Sequence, residues 1–200
     1  QEEVAKRSKL SLQLAAKGEW HDIVLSDQAL IIVGTKSKLP NERELGEQTP
    51  WADLEALKEE GYVVKTSLLG SKQLVWVIGA DSRGLLFGIG KLLRQATITE
   101  GCFALSDELH FVTSPKSIIR GHQLGYRPKT NAYDAWTIEQ YEQYIRELAL
   151  FGTNTIEIVP PRTDDHATGP LMKYDSMDMM IKLSQIIDSY GLDVWIWYPN

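Results

Sequence analysis

The residues best suited to chemistry lie together in the segment NTIEIVPPRTDDHATGP, residues 154–170. A short apolar run ends there in two prolines, and Arg162, Asp164, Asp165 and His166 follow. These side chains could form the hydrogen-bonding rim of a substrate site, or the loop could be a solvated connection. A metal site is the less favoured alternative, because no further carboxylate or imidazole ligands cluster nearby. We therefore expect no metal and no cofactor.

The elements that must position this loop alternate between strand and helix. Strand-like segments at 117–126, 153–161 and 192–200 are separated by two helical patterns. Thr137 and Gln140 form a capping box for the first helix, which Gly152 ends, and the second helix runs from Ser176 to Gly191. Met180, Ile181, Leu183 and Ile187 are its expected inward residues. This alternation predicts parallel strands with helical crossovers.

Three parallel strands alone would leave an open apolar edge, which is an aggregation hazard. We therefore expect an α/β fold in which residues 116–200 are the first three βα units of a (β/α)8 barrel that continues beyond Asn200. Residues 1–115 would form a small α+β accessory domain. The alternative is a small open α/β sheet completed by strands of the first half.

In parallel α/β folds the chemistry lies at the carboxyl ends of the strands. That rule selects three places, and the opening segment contains one of them. They are Gly125 to Arg127, Pro160 to His166, and Tyr198 to Asn200.

Other notable residues have two interpretations each. Arg120 could pair with Glu157 inside a barrel or hold a sugar, and His122 is expected to be a satisfied core histidine rather than a base. Trp195 and Trp197 could stack on sugars or pack against an outer helix. No two carboxylates form a convincing acid–base couple, so we expect the catalytic residues to lie outside this chain.

The first half mixes helices and strands. We predict a hairpin of 61–70 and 72–80 around Gly70-Ser71, and a strand at 29–35. Helices are predicted at 4–17, at 51–60 with Gly61 as its cap, and at 81–96 with Asp81 or Ser82 as its cap. Glycines within the last helix favour close packing on a sheet over a phosphate loop, whose lysine and hydroxyl spacing is missing.

Composition narrows the classes of partner. The 200 residues carry a formal charge of −6 and show no basic cluster, which argues against nucleic acid. No apolar run approaches the ~20 residues that span a bilayer. The single cysteine, Cys102, excludes an internal disulfide and a cysteine-based zinc site, and its apolar neighbours predict a core position. The acidic start is no signal peptide, so the expected periplasmic or extracellular location assumes that one has been removed.

Two stretches resemble carbohydrate-active enzymes. GYVVKTSLL followed by LVWVIGADSRGLLFGIGKLLRQ resembles the α/β domain that precedes the barrel in family 20 and family 84 β-N-acetylhexosaminidases and family 67 α-glucuronidases. IIRGHQLGY, WTIEQY and LALFGTNTIEIVPPRTDDH are similar to the barrel start of those enzymes, with family 84 the best match.

The resemblance implies sugar-binding roles for Gly125, for Arg162 where family 84 has lysine, and for Arg120 as the strand-one arginine of family 20. From their places after the strands, Tyr126, Asp164 and Asp165 are further expected substrate contacts. Leu124 stands where family 84 has glutamate, so the sugar need not be an N-acetylhexosaminide.

The expected function is therefore that of the amino-terminal part of a glycoside hydrolase acting on hexosaminides or uronides, with an oligosaccharide or glycoconjugate as its partner. A non-catalytic carbohydrate-binding module and a small α/β domain of unrelated function are the alternatives. The sequence leaves the oligomeric state open.

Overall fold

The chain folds into two units, Gln1–Pro115 and Lys116–Asn200. The computed structural model describes residues 1–15, 29–39, 49–124, 136–158 and 174–196. Each unit has its own sheet, and among the described strands none of the first unit pairs with the sheet of the second.

A four-stranded sheet forms the centre of the first unit, in the order β1-β3-β2-β6. β1 is parallel to β3, whereas β2 is antiparallel to both β3 and β6. The strands are β1 (Leu30–Thr35), β2 (Tyr62–Leu69), β3 (Lys72–Gly79) and β6 (His110–Thr113). The hairpin predicted around Gly70-Ser71 is confirmed, and Gly70 has the positive φ of 65° that its turn requires.

A small antiparallel pair lies apart from this sheet and consists of β4 (Thr97–Thr99) and β5 (Cys102–Ala104). The prediction that Cys102 is a core residue is wrong, because its side chain is exposed. Strand alternation explains the difference, since Cys102 and Ala104 share the outward face and only Phe103 between them is half-buried.

Two helices, α2 (Trp51–Glu55) and α3 (Ser82–Gln95), pack on the four-stranded sheet of the first unit. The first helix, α1 (Glu2–Ser8), contacts the β4–β5 pair, and a 3-10 turn follows β1 at Lys36–Lys38. Leu54 of α2 joins Trp76 in the core of one sheet face, and Leu92 of α3 joins Val77 on the other. Both faces of the central strands are therefore covered.

Two of the predicted helices are shorter than expected. The helix predicted at 4–17 ends at Ser8, because Lys9 turns into the left-handed region with φ 63°. The helix predicted at 51–60 ends at Glu55, and Gly61 is not its cap. Beyond Glu55, Lys58 N–H donates to Ser114 Oγ at 2.9 Å instead of to a carbonyl of its own helix. A bond to a residue distant in sequence replaces the next helical turn.

The glycines at the start of α3 allow close packing, as predicted. Asp81 caps the helix by accepting from Gly84 N–H at 2.8 Å, and it also accepts from Glu60 N–H at 2.7 Å. A Cβ on Gly84 would collide with the carbonyl oxygen of Gly61. Helix α3 can therefore approach the 60–61 backbone only with glycine at position 84.

One polar cluster joins α2 to the sheet. Asp53 Oδ2 accepts from Lys65 Nζ at 2.9 Å and lies 3.1 Å from His110 Nε2. Partial burial alone would raise the pKa of Asp53, but the hydrogen bond and charge of Lys65, with those of His110, outweigh it and lower the pKa. We assign this cluster a structural role, because it links three elements of the unit.

The second unit is a parallel sheet in the order β7-β8-β9. Its elements are β7 (Gly121–Gln123), α4 (Ile138–Phe151), β8 (Thr155–Ile158), α5 (Ser176–Ser189) and β9 (Asp193–Ile196). The predicted parallel pairing with helical crossovers is confirmed. Right-handed crossovers between consecutive strands place both helices on one face of the sheet. The eight-stranded barrel stays a prediction.

Helix boundaries in this unit follow the predicted signals. Thr137 and Gln140 form the capping box, with Gln140 N–H 3.3 Å from Thr137 Oγ1, and Gly152 ends α4 with φ 102°. α5 begins at Ser176 and Asp175 caps it.

The inward face of α5 differs in part from the prediction. Leu183 and Ile187 are buried as expected, but Met179 is their buried companion and Ile181 is 46% exposed. The buried residues recur every four positions, which places Ile181 on the other side of the helix.

Asn154 fixes the register of the three parallel strands. Its buried side chain accepts from Arg120 N–H at 2.9 Å and donates to the Ile118 carbonyl at 2.7 Å, which holds the chain entering β7. Its own carbonyl accepts from Asp193 N–H at 2.8 Å, at the start of β9. One residue therefore aligns the amino ends of all three strands.

We predict that Gly84→Ala destabilises the first unit by about 1–3 kcal/mol, because the new methyl group meets rigid backbone. Gly88→Ala is the matched control, since its Cβ would lie 3.1 Å from Tyr62 Cβ and 3.2 Å from Val77 Cγ1, where side chains can shift. Urea unfolding followed by circular dichroism measures both. Equal stability of the two variants would contradict the close approach at Gly84.

We predict that Asn154→Ala destabilises the second unit by about 1–3 kcal/mol, because the Arg120 N–H and the Ile118 carbonyl lose their partner. Gln185→Ala removes an amide from an exposed position of α5 and should change the free energy of unfolding by less than about 0.5 kcal/mol. The same unfolding assay compares the two. If Asn154→Ala lowers the free energy of unfolding no more than the control does, Asn154 does not fix the strand register.

Candidate functional site

The register of the parallel strands places two polar side chains and one tryptophan in one row. Gln123 of β7 lies beside Glu157 of β8, and Glu157 lies beside Trp195 of β9. Side chains alternate along a strand, and residues in register share a face. Ile156 and Ile158 are fully buried, so Glu157 between them points away from the helices. We call Gln123, Glu157 and Trp195 the polar row.

The polar row is open to solvent. Trp195 is 60% exposed, Gln123 is exposed and Glu157 is half-buried. Within the described residues, the side chains of Gln123 and Glu157 have no hydrogen-bond or ion-pair partner. The alternative that Trp195 packs against an outer helix is wrong, because Trp195 lies on the face opposite the helices.

Arg120 lies at the other end of the sheet. Its Nε donates to the Gly152 carbonyl at 2.8 Å and its Nη1 to the Ser117 carbonyl at 2.9 Å. Arg120 directly precedes β7 at the amino edge, three residues before Gln123, which corresponds to about 10 Å along a strand. The alternative ion pair with Glu157 is therefore not formed in the described part of the chain. The predicted contact of Arg120 with a sugar stays a prediction.

His122 occupies the helix-covered face, as expected for a satisfied core histidine. Its Nε2 lies 3.0 Å from the Tyr144 hydroxyl of α4, and the two rings meet edge to face. Trp136 packs edge to face on Tyr144 and Tyr141. Burial lowers the pKa of His122. His122 therefore packs between the sheet and α4, on the face opposite the polar row.

The remaining predicted site residues lie outside the described residues. They are Gly125, Tyr126, Arg162, Asp164 and Asp165, together with His166 and the 197–200 segment. The described strands end shortly before these positions, at Gln123, Ile158 and Ile196.

Sequence reasoning did not select Gln123, and it considered Glu157 only as one alternative partner of Arg120. No local signal distinguishes these residues, because each short strand also holds another polar side chain, which is His122 in β7, Thr155 in β8 and Asp193 in β9. What was missing was the register, which depends on contacts between segments more than 30 residues apart.

Among the described residues, no group of three or more histidine, cysteine or acidic side chains could hold a metal ion. No helix in the same part of the chain is long and apolar enough to cross a membrane.

We predict that His122 makes the second unit less stable at acidic pH. Its pKa is lower in the folded state, so the unfolded chain binds more protons as the pH falls from about 7, and the stability falls with it. His122→Phe should remove this part of the pH dependence in urea unfolding between pH 7.5 and 5.5. His110→Gln, in the first unit, should retain it, and an unchanged slope in His122→Phe would contradict the prediction.

Comparison with known proteins agrees with this architecture. Residues 3–92 match the family model described as the glycosyl hydrolase family 67 N-terminus. No curated protein matches the chain at a significant level.

Solved structures extend the likeness in fold to most of the chain. The structure of CpGH84B aligns with 78% of this chain at 19% identity and a TM-score of 0.51, over 26% of its own length. A glycoside hydrolase family 20 β-N-acetylglucosaminidase aligns with 95% of this chain at 16% identity and a TM-score of 0.52, over 38% of its own length. At these identities the likeness concerns the fold. The amino-terminal region of the chain is therefore glycoside hydrolase-like, within a mixed α/β fold similar to that of solved glycoside hydrolases.

Proposed function

We propose that the chain is part of a glycoside hydrolase that cleaves O-glycosidic bonds of the hexosaminide or uronide class. The observation that carries this proposal is the parallel sheet β7-β8-β9, whose carboxyl ends lead into the segments with the predicted sugar-binding residues. The family 67 match in residues 3–92 supports it independently. The chain spans 26% and 38% of the two similar structures, which fits a portion of a longer enzyme.

The roles we propose follow from where each residue stands. Arg162, Asp164 and Asp165 hydrogen-bond sugar hydroxyl groups, since guanidinium and carboxylate groups supply donors and acceptors respectively. Gly125 lets the sugar approach the backbone, and Tyr126 contributes an aromatic ring with a hydroxyl group. For Arg120 we propose the sugar contact that the resemblance implies, made from the amino edge, where its guanidinium also bonds to two backbone carbonyls.

Bond cleavage needs more than these residues. Glycoside hydrolysis usually requires two carboxyl groups on either side of the scissile bond, about 5–10 Å apart, one protonated and one ionised. The predicted site offers the adjacent residues Asp164 and Asp165, which we assign to substrate binding. We propose that the catalytic carboxylates belong to other parts of the full protein, which acts in the periplasm or outside the cell.

A non-catalytic carbohydrate-binding module is the second candidate. The observation that favours it is the polar row itself, which presents an exposed indole beside a carboxylate and an amide that have no partner among the described residues. Such a module would bind sugars without cleaving them.

Activity of the natural-length protein tests the hydrolase proposal. We expect it to cleave at least one member of a panel of aryl hexosaminides and aryl uronides, and the 200-residue chain to cleave none. Arg162→Ala and Asp165→Asn should each reduce kcat/KM at least about 10-fold, a loss of about 1.4 kcal/mol of transition-state binding. Asp178→Asn, on the exposed start of α5, is the matched control and should leave kcat/KM unchanged.

Failure to cleave any glycoside, by a natural-length protein that is folded, would favour the binding module. Cleavage that is unaffected by both Arg162→Ala and Asp165→Asn would keep the hydrolase but remove this loop from the site.

A further inference from the structure

We infer that the polar row binds a neutral face of a single pyranose ring, with Trp195 stacking on the ring and Glu157 and Gln123 bonding to its hydroxyl groups. The inference deepens the proposed function and rests on it for the class of ligand. It adds Gln123 and Glu157 as sugar contacts and joins them to Trp195, for which sugar stacking was one of two interpretations of the sequence.

The dimensions of the row suit one sugar ring. Neighbouring strands lie about 4.8 Å apart, so the row from Gln123 through Glu157 to Trp195 spans about 10 Å. This length is comparable with one pyranose ring and its hydroxyl groups. The row is also the last one on this face before the segments that follow the strands, where we propose further sugar contacts.

The chemistry of the three side chains is complementary to a sugar. An exposed indole ring offers a flat apolar surface for the C–H face of a pyranose, with a polar edge that tolerates water. The Glu157 carboxylate accepts hydrogen bonds from hydroxyl groups, and the Gln123 amide both donates and accepts. Both side chains lack partners in the described part of the chain, so within that part these bonds replace no protein contact.

Packing by other protein segments is the competing explanation for this face. Parallel sheets are normally covered on both sides by apolar residues. Here the uncovered side carries a carboxylate with no described cation beside it, and burying an unpaired charge costs several kcal/mol. A ligand rich in hydroxyl groups satisfies this carboxylate, whereas apolar packing does not.

The sign of the charge restricts the ligand further. Glu157 is acidic and its registered neighbours are uncharged, so the row repels an anionic group. A uronic acid would have to turn its carboxylate away from the row. We therefore expect the row to hold a neutral hexose or N-acetylhexosamine ring, or the neutral face of a uronide.

Binding of simple glycosides to the 200-residue chain tests the inference. The probes are methyl β-D-glucopyranoside, methyl N-acetyl-β-D-glucosaminide and methyl β-D-glucuronide, with Kd measured by ligand-observed NMR. We expect at least one neutral probe to bind, and Glu157→Gln, Gln123→Ala and Trp195→Ala each to weaken it. For Trp195→Ala and Glu157→Gln the expected loss is about 10-fold or more, or about 1.4 kcal/mol.

Two controls separate binding from folding. Glu147→Gln changes an exposed carboxylate on α4 and should leave Kd within about 2-fold, as expected for a residue away from the site. If Trp195→Ala does not fold, Trp195→Tyr keeps an aromatic ring and should retain part of the affinity, whereas Trp195→Leu should not.

Three results would overturn the inference. They are the absence of binding by the folded chain, binding that the row variants do not change, and binding of the glucuronide alone that Glu157→Gln strengthens. In the natural-length protein, cleavage with a KM unaffected by the row variants would support the proposed hydrolase activity and contradict sugar binding by the polar row. Binding by the row without cleavage of any glycoside would keep the row and reject the hydrolase.

Discussion

The hydrogen bonds of Asn154 are the constraint on which the second unit depends. They hold the chain entering β7 through the Ile118 carbonyl and the Arg120 N–H, while the Asn154 carbonyl holds the start of β9. A slip of one residue would turn every side chain of a strand to the opposite face. Glu157 would then point into the helices and Ile156 toward solvent. The polar row therefore exists because a buried amide, at the opposite edge of the sheet, fixes the register.

Elements with a local signal could be predicted from the sequence. The capping box of Thr137, the cap of Asp81 and the turn at Gly70 each depend on residues within four positions of one another. The predictions failed where a distant partner decides the outcome. The helix after Trp51 ends early because Lys58 N–H bonds to Ser114, 56 residues away. No local pattern contains that information.

The candidate site also contains some residues that a local rule could select and others that depend on distant partners. The rule that chemistry follows the carboxyl ends of parallel strands selected the segments after β7, β8 and β9 from sequence alone. It could not select Gln123 and Glu157, because their meeting depends on pairing between separate segments. The alternative ion pair of Arg120 with Glu157 required these two residues to lie opposite each other in the strand register. Arg120 instead lies opposite Asn154, at the amino edge of the sheet.

The composition of the polar row fits the sugar-binding role that we propose for it and does not fit cleavage. Neither registered neighbour of Glu157 is a carboxylate, so the row lacks the partner that hydrolysis of a glycoside requires. Asp193, the acidic residue of β9 on the same face, lies two residues nearer the amino edge, away from the segments where we propose sugar contacts. A protein that both binds and cleaves must therefore bring its acid and its base to this edge from other strands. Binding energy gained at the row would then orient the glycosidic bond toward those groups.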